Sequence, residues 1–322
     1  MAFRTTVCDL FGIDHPIFLA GMGLVAYADV CAAVSEAGGF GTLGMIGATP
    51  QRIRTEMRRV KALTAKPFGV DLLQALPEQI AAAIDVIIEE GAAAFIAGLG
   101  VPEGIVGRCH AGGIKVMSMC GTVEHARRAE GAGCDAVVAQ GTEAGGHTGR
   151  IAGLALIPQT VDAVRIPVLA AGAIVDGRGF AAALALGAQG VWMGTRFIAT
   201  PEARAAAQYK QRIVAAGGAD TRITRCYSGK PMRVISNSYV EEQERRDADI
   251  QPFPEQLVRS ARAGLLDYVD DATVDPARTC MPAGQGIGGI GDVAPAGEIV
   301  RRIVREAHEV IERLQANAAP RA

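Results

Sequence analysis

The chain has almost no net charge, few aromatics, no paired-cysteine motif and no long apolar run, and each shortage removes a class of function. Lys and Arg number 32 against 34 Asp and Glu, for a formal charge of −2 at neutral pH. There is no electrostatic footprint for a phosphate backbone and no basic helix to lie on anionic lipid, so neither nucleic acid nor membrane is expected as a partner. No apolar stretch approaches the roughly 20 residues needed to cross a bilayer. The opening MAFRTTVCDLFGIDHP lacks the apolar core of a secretion signal, and a cytoplasmic protein is expected. Seven cysteines, Cys8, Cys31, Cys109, Cys120, Cys134, Cys226 and Cys280, form no CxxC pair and are odd in number. That pattern argues against a zinc site and a full disulfide framework, so no metal is expected and most of the thiols read as small buried apolar groups. Cys120, beside a strand end, has a position suited to a catalytic thiol, but no base or orienting partner stands out for it.

What is abundant is glycine, alanine and apolar residues generally, with 40 Gly and 49% hydrophobic content. This suits helices packed closely on a buried parallel sheet whose loops need unusual backbone angles. Eight short apolar runs, Ile17 to Ala20, Gly41 to Gly44, Phe68 to Leu72, Ala93 to Ala97, Lys115 to Met119, Ala136 to Gln140, Val168 to Ala171 and Gly190 to Met193, alternate with helix-like stretches. The helices expected between them include Asp29 to Ala37, Gln51 to Leu63, Glu78 to Glu90, Val123 to Ala132 and Arg178 to Leu186. Eight strands favour closure, so the fold class is α/β, a (β/α)8 TIM barrel. After the eighth strand the pattern fails: the segment from Tyr209 to Met281 is charged and irregular, with proline at 231, 252, 254 and 276 and again at 282. It reads as a smaller inserted cap spanning 209–281, with the barrel formed by 1–208 and 282–322. A final helix from about Pro295 to Leu314 sets Ile299, Ile303, Val304, Ala307, Val310 and Ile311 on roughly one face, able to return over the barrel.

Chemistry in such barrels sits where strands end and their following loops begin. Gly172-Ala173 and Gly194-Thr195, after the seventh and eighth strands, stand where barrels commonly bind phosphate, and Thr195 adds a hydroxyl. A formal GxGxxG at Gly284-Gln285-Gly286-Ile287-Gly288-Gly289 follows CMPA, with no strand before it and no βαβ unit around it. It is therefore read as a loop over a ligand or a surface turn, and not as a dinucleotide fingerprint. In QGTEAGGHTG, His147 follows the sixth strand in a glycine-flanked loop, where an imidazole can project into the barrel mouth for proton transfer or anion binding. His15, His110, His125 and His308 read as structural. Glu143, four residues before His147, is placed to orient the ring or to sit in solvent.

PIFLAGMG, VSEAGGFGTLG, QGTEAGGHTG followed by LIPQTVDAV, PVLAAGAIVDGRGFAAALALGAQGVWMGTRF and MPAGQGIGG, taken in order, resemble nitronate monooxygenase, formerly called 2-nitropropane dioxygenase, across nearly the whole chain. The resemblance implies FMN as cofactor and an oxidoreductase that turns alkyl nitronates and O2 into carbonyl compounds and nitrite. Carried over position by position, it puts Gly21 and Met22 near the flavin ring and Asp71 and Gln140 at its polar edge. Gly145 joins the cofactor-binding set, Gly172, Ala173, Gly194 and Thr195 hold the phosphate, and His147 stands beside the reactive face as the catalytic residue. Two positions depart from the family pattern, which generally has Asn at Asp71 and a second Gly at Ala173. An ionised Asp71 would disfavour the anionic reduced flavin unless it were protonated or turned away. The alternative implied by close relatives is an NAD(P)H-dependent FMN reductase acting on a quinone or an enoyl thioester; the relevant quinone reductases have Lys where Met119 stands. The expected partners are a small nitro compound and O2, and a homodimer is compatible with the helices' apolar faces.

Overall fold

Short apolar runs bounded by glycine become the staves of a barrel in the computed structural model, which describes residues 3–73, 77–246 and 249–318. The ends of the sequence-derived barrel, 1–2 and 319–322, lie outside the described residues. In chain order the strands are β1 Ile17–Leu19, β2 Gly41–Gly44, β3 Phe68–Leu73, β4 Ala94–Gly98, β5 Lys115–Cys120, β6 Ala136–Gln140, the two-residue β7 Gly146–His147, β8 Val168–Ala171 and β9 Gly190–Met193. All but β7 form one parallel sheet in the order β1-β9-β8-β6-β5-β4-β3-β2. A bridge between Phe18 and Phe40 closes it, with the Leu19 N–H on the Phe40 carbonyl and the Phe40 N–H on that of Ile17. The fold is a (β/α)8 barrel.

Alternation along each strand sorts the side chains into two layers. Leu19, Leu43, Val70, Phe95, Val116, Val137, Ala170 and Val191 point outward beneath the helices. Phe18, Phe40, Ile96, Met117, Val138, Leu169 and Trp192 fill the interior. A helix over Thr6–Phe11, not foreseen from the sequence, plugs the end from which the strands start. Its Val7 and Phe11 join the interior cluster, Phe11 meets Phe18 and Phe40 edge-on, and Thr5 and Thr6 bond to Gln189 just ahead of β9. With that end filled, the C-terminal mouth is the end left for chemistry.

The outer helices include Ala28–Glu36, Pro50–Leu63, Pro77–Glu89, Val123–Gly131, Gly153–Ala163 and Gly177–Ala185, and all but Gly153–Ala163, which was not among the expected helices, lie within a residue of their expected bounds. After β9 the helical turn Thr195–Ile198 breaks off, and the chain returns to the barrel only with the helix Ala296–Ala318. That helix packs on Gly177–Ala185 and on Ala28–Glu36, the helices flanking the β9–β1 seam, so it takes the place of the eighth outer helix. Between the two pieces lie a helix Ala207–Ala215, the hairpin β10 Thr221–Thr224 and β11 Met232–Ile235, and helices Ser238–Glu244 and Glu255–Arg262. The free edge of β11 pairs antiparallel with β7, Met232 opposite His147 and Arg233 opposite Gly146. The inserted segment therefore grips the loop that carries His147.

Candidate active site

The strand ends at the mouth meet through close backbone approaches that only small residues permit. A Cβ on Gly21 would overlap the Asp71 side chain, and one on Gly44 would overlap the backbone of Met22. Asp71 is buried on β3, its Oδ1 has no hydrogen-bond partner among the described residues, and burial pushes its carboxyl well above the usual carboxylate range. Leu24, Leu99 and Ala173, the non-glycine residues with left-handed backbone (φ 65°, 55° and 56°), each follow a barrel strand at this same end. Strain of that kind concentrates where a surface is built for a ligand.

Gly172 (φ 111°) and Ala173 turn the chain sharply after β8, and Thr195 opens the short helix after β9. The loop at 284–289 lies across both turns. The Gly284 N–H donates to Thr195 Oγ1 at 3.0 Å, and a Cβ on Gly286 would sit 2.6 Å from the Ala173 carbonyl oxygen. Gly145 allows the same closeness from the other side, since a Cβ there would lie 2.7 Å from the Gly284 nitrogen. The GxGxxG is thus a short 3₁₀ wall over the turns after β8 and β9, where a Cβ on Gly284 or Gly286 would collide with backbone.

His147 is half-buried on β7. Gln140 Nε2 donates to its carbonyl at 2.6 Å, and its ring Nε2 lies 2.9 Å from Ser228 Oγ in the inserted segment. Phe253 stands edge-on to the imidazole at 6.3 Å and 88°, and Lys230 Nζ lies 4.7 Å over the Phe253 ring. Burial, reinforced by the Lys230 charge, lowers the imidazole to about 4, so the ring is neutral at physiological pH.

The nitronate monooxygenase family profile matches residues 4–306. The chain belongs to that family. Relatives in it differ in the reactions their names carry. A (3aS,4S,5R,7aS)-5-hydroxy-7a-methyl-1-oxo-octahydro-1H-indene-4-carboxyl-CoA dehydrogenase from Rhodococcus jostii is 39% identical over 237 residues, 74% of this chain and 67% of that protein. The solved structure of FabK from Thermotoga maritima is 36% identical with a TM-score of 0.91, covering 98% of this chain and 99% of that one. A solved nitroalkane oxidase from Streptomyces ansochromogenes is 31% identical with a TM-score of 0.83, covering 96% and 99%. The family consists of flavin-dependent oxidoreductases, and this protein is an oxidoreductase of that kind.

The residues present fit a flavin. Burial favours the protonated form of Asp71, which would offer a cofactor edge both a hydroxyl donor and a carbonyl acceptor. The Asp71 Oδ1 left without a partner is a polar atom awaiting one. The sequence-derived residues also form one chain of contacts. Asp71 touches Gly21, and Met22 Sδ lies 3.4 Å from where Gly194 would carry a Cβ. Thr195 bonds Gly284 against Gly145, and Gln140 bonds His147.

The structure decides two readings that the sequence left open. Glu143 does not orient His147; both its carboxylate oxygens accept the Gly153 N–H at 2.9 Å, because the bare N-terminus of helix Gly153–Ala163 attracts negative charge. Cys120 faces outward into the barrel–helix layer, where burial pushes its thiol up to about 12, so it is not a catalytic thiol. The residues that sequence reasoning missed are Ser228, Lys230 and Phe253. YSGKP carries no motif, and only the β11–β7 pairing brings it to His147.

Proposed function

We propose that this protein is an FMN-dependent nitronate monooxygenase that converts alkyl nitronates and O2 into carbonyl compounds and nitrite, using His147 as its base for neutral nitroalkanes. The observation that carries the reading is the imidazole held at the mouth, its Nε2 2.9 Å from Ser228 Oγ and the Lys230 ammonium over the neighbouring Phe253 ring, with burial first and the Lys230 charge second favouring the neutral ring. A neutral imidazole can take a proton, and a nearby cation favours the nitronate that this leaves. Lys230 supplies that positive charge for the nitro oxygens. The backbone of Gly172 and Ala173 and the start of the helix at Thr195 suit the FMN phosphate, the flat approach at Gly21 and Met22 suits the ring, and Asp71 and Gln140 suit its polar edge. FMN held by these residues would supply the redox chemistry and the reactivity toward oxygen.

Anaerobic mixing of the flavin-loaded protein with a nitronate should bleach the flavin, whereas NADPH should not. His147→Asn should keep FMN while losing about 10²-fold or more in nitroalkane turnover; unchanged turnover would remove His147 from the reaction. A second reading, NAD(P)H-dependent reduction of an enoyl thioester or a quinone through FMN, is favoured by the higher identities of the CoA-thioester dehydrogenase and FabK, 39% and 36% against 31% for the nitroalkane oxidase. Bleaching by NADPH alone would select it.

A further inference from the structure

We infer that Ser228 sets the tautomer and orientation of His147, keeping the proton on Nε2 and presenting the Nδ1 lone pair to the substrate. The inference deepens the reading of His147 as base by adding a positioning residue from the inserted segment.

It follows from counting donors and acceptors around one hydroxyl. Ser228 Oγ has one hydrogen and two lone pairs. It stands 3.3 Å from the Lys230 N–H, which can only donate, and 3.2 Å from the Lys230 carbonyl, which can only accept. The N–H takes one lone pair and the carbonyl takes the hydrogen. What remains for His147 Nε2, at 2.9 Å, is a lone pair, so an Nε2–H donor is the arrangement that satisfies all three neighbours. Turning the hydroxyl toward Nε2 instead forfeits the bond to the Lys230 carbonyl, a bias of roughly fivefold against that arrangement.

The turn that carries Ser228 is itself fixed. The Ser228 and Gly229 N–H groups both donate to the Arg225 carbonyl, at 3.2 and 2.8 Å. Gly229 has φ 83°, and a Cβ there would lie 2.5 Å from the Phe253 nitrogen, so the turn and the Phe253 segment interlock. Gln256 Nε2 donates to the Cys226 carbonyl at 2.7 Å. On the other side, the β7–β11 pairing holds the His147 backbone and Phe253 closes one flank of its ring. Among the described residues no protein group hydrogen-bonds Nδ1, and Nδ1 is not sealed from solvent. In the proton step the substrate C–H bond breaks, an Nδ1–H bond forms, and the electron pair stays on the substrate as its nitronate. The Nε2–H bond to Ser228 persists throughout.

The test is ¹⁵N NMR of histidine-labelled protein, with His147→Asn assigning the ring, alongside steady-state kinetics of the flavin-loaded enzyme. Wild type should show a protonated Nε2, a bare Nδ1 and a slowly exchanging Nε2–H proton. Ser228→Ala should lose that protected proton, and Ser228→Thr should keep it. In Ser228→Ala, kcat on a neutral nitroalkane should fall about tenfold with little change in KM. Turnover of preformed nitronate, which needs no proton removed, should fall far less. A proton on Nδ1 in the wild type overturns the inference without reference to any variant, as does a Ser228→Ala protein that keeps the protected proton or slows equally on both substrates. If the NMR pattern holds while neither nitro compound is turned over by wild type, the tautomer assignment stands and the nitronate reading falls.

Discussion

Asp71 and His147 are ordinary titratable residues placed where their charged forms are costly, and the two shifts have opposite consequences for pH. For Asp71 the folded pKa lies above the ordinary value of 3.8 because of burial. The folded state then holds a proton that the unfolded state has lost, so its contribution is fully present below about pH 3.8 and is lost as pH rises toward the folded pKa. Asp71→Asn keeps the shape and neutrality without that linkage. The stability gap favouring Asp71→Asn should widen by about 1.4 kcal/mol per pH unit over that window, as read by denaturant unfolding at several pH values. A constant gap would mean that Asp71 is ionised in the folded protein. His147 works the other way: its folded value of about 4 lies below the ordinary 6.5, through desolvation first and Lys230 second. The base therefore stays unprotonated well into acid, with Ser228 and Phe253, its other neighbours, uncharged. For a neutral nitroalkane, kcat/KM should be nearly flat between about pH 5 and 7 and fall only near 4; an acid limb at the free-imidazole value would show that the ring is solvated.

At the scale of elements, the division of labour within QGTEAGGHTG separates a carboxylate that caps a helix from the histidine proposed as the base. Glu143→Gln should cost about 1 kcal/mol of stability by weakening the cap on helix Gly153–Ala163. It should leave the His147 acid limb where it was, which a ring-orienting role would not; thermal unfolding and a pH profile measure the two separately. That helix also shows what was and was not legible in the sequence. The barrel strands were legible because short apolar runs with glycine near their ends recur at even spacing, and Gly172, Ala173, Gly194 and Thr195 could be placed at the barrel mouth because strand ends can be counted. Ser228 could not be found that way. Its place depends on β11 pairing with β7, which brings Ser228 to a histidine 81 positions earlier and leaves no periodicity in either segment. Glu143 was misread for a related reason: a carboxylate four residues from a histidine looks like its partner until the helix start at Gly153 is seen to compete for it. The helix Thr6–Phe11 was missed because six residues are too few to establish a helical pattern.

For the whole molecule, the insertion splits the last β/α unit, so the barrel is sealed by a helix that arrives about a hundred residues late. Closure of the β9–β1 seam then depends on how tightly Ala296–Ala318 seats on its neighbours, and two glycines on that interface should respond oppositely to the same substitution. A Cβ on Gly177 would overlap the backbone nitrogen of Ala307 and the Cβ of Glu306, while Glu306 Oε2 already accepts the Gly177 N–H at 2.9 Å. Gly177→Ala should push the sealing helix outward and cost about 1–3 kcal/mol. At Gly297 the nearest atom to a new Cβ is that of Ala37, 3.5 Å away, an ordinary contact. Gly297→Ala should therefore gain up to about 1 kcal/mol from helix propensity. Thermal unfolding of the two variants beside wild type gives the comparison. If both lose stability alike, the late helix does not seat as described; if Gly177→Ala alone loses it, the barrel's last seam is held by backbone contact at the start of the helix that follows β8.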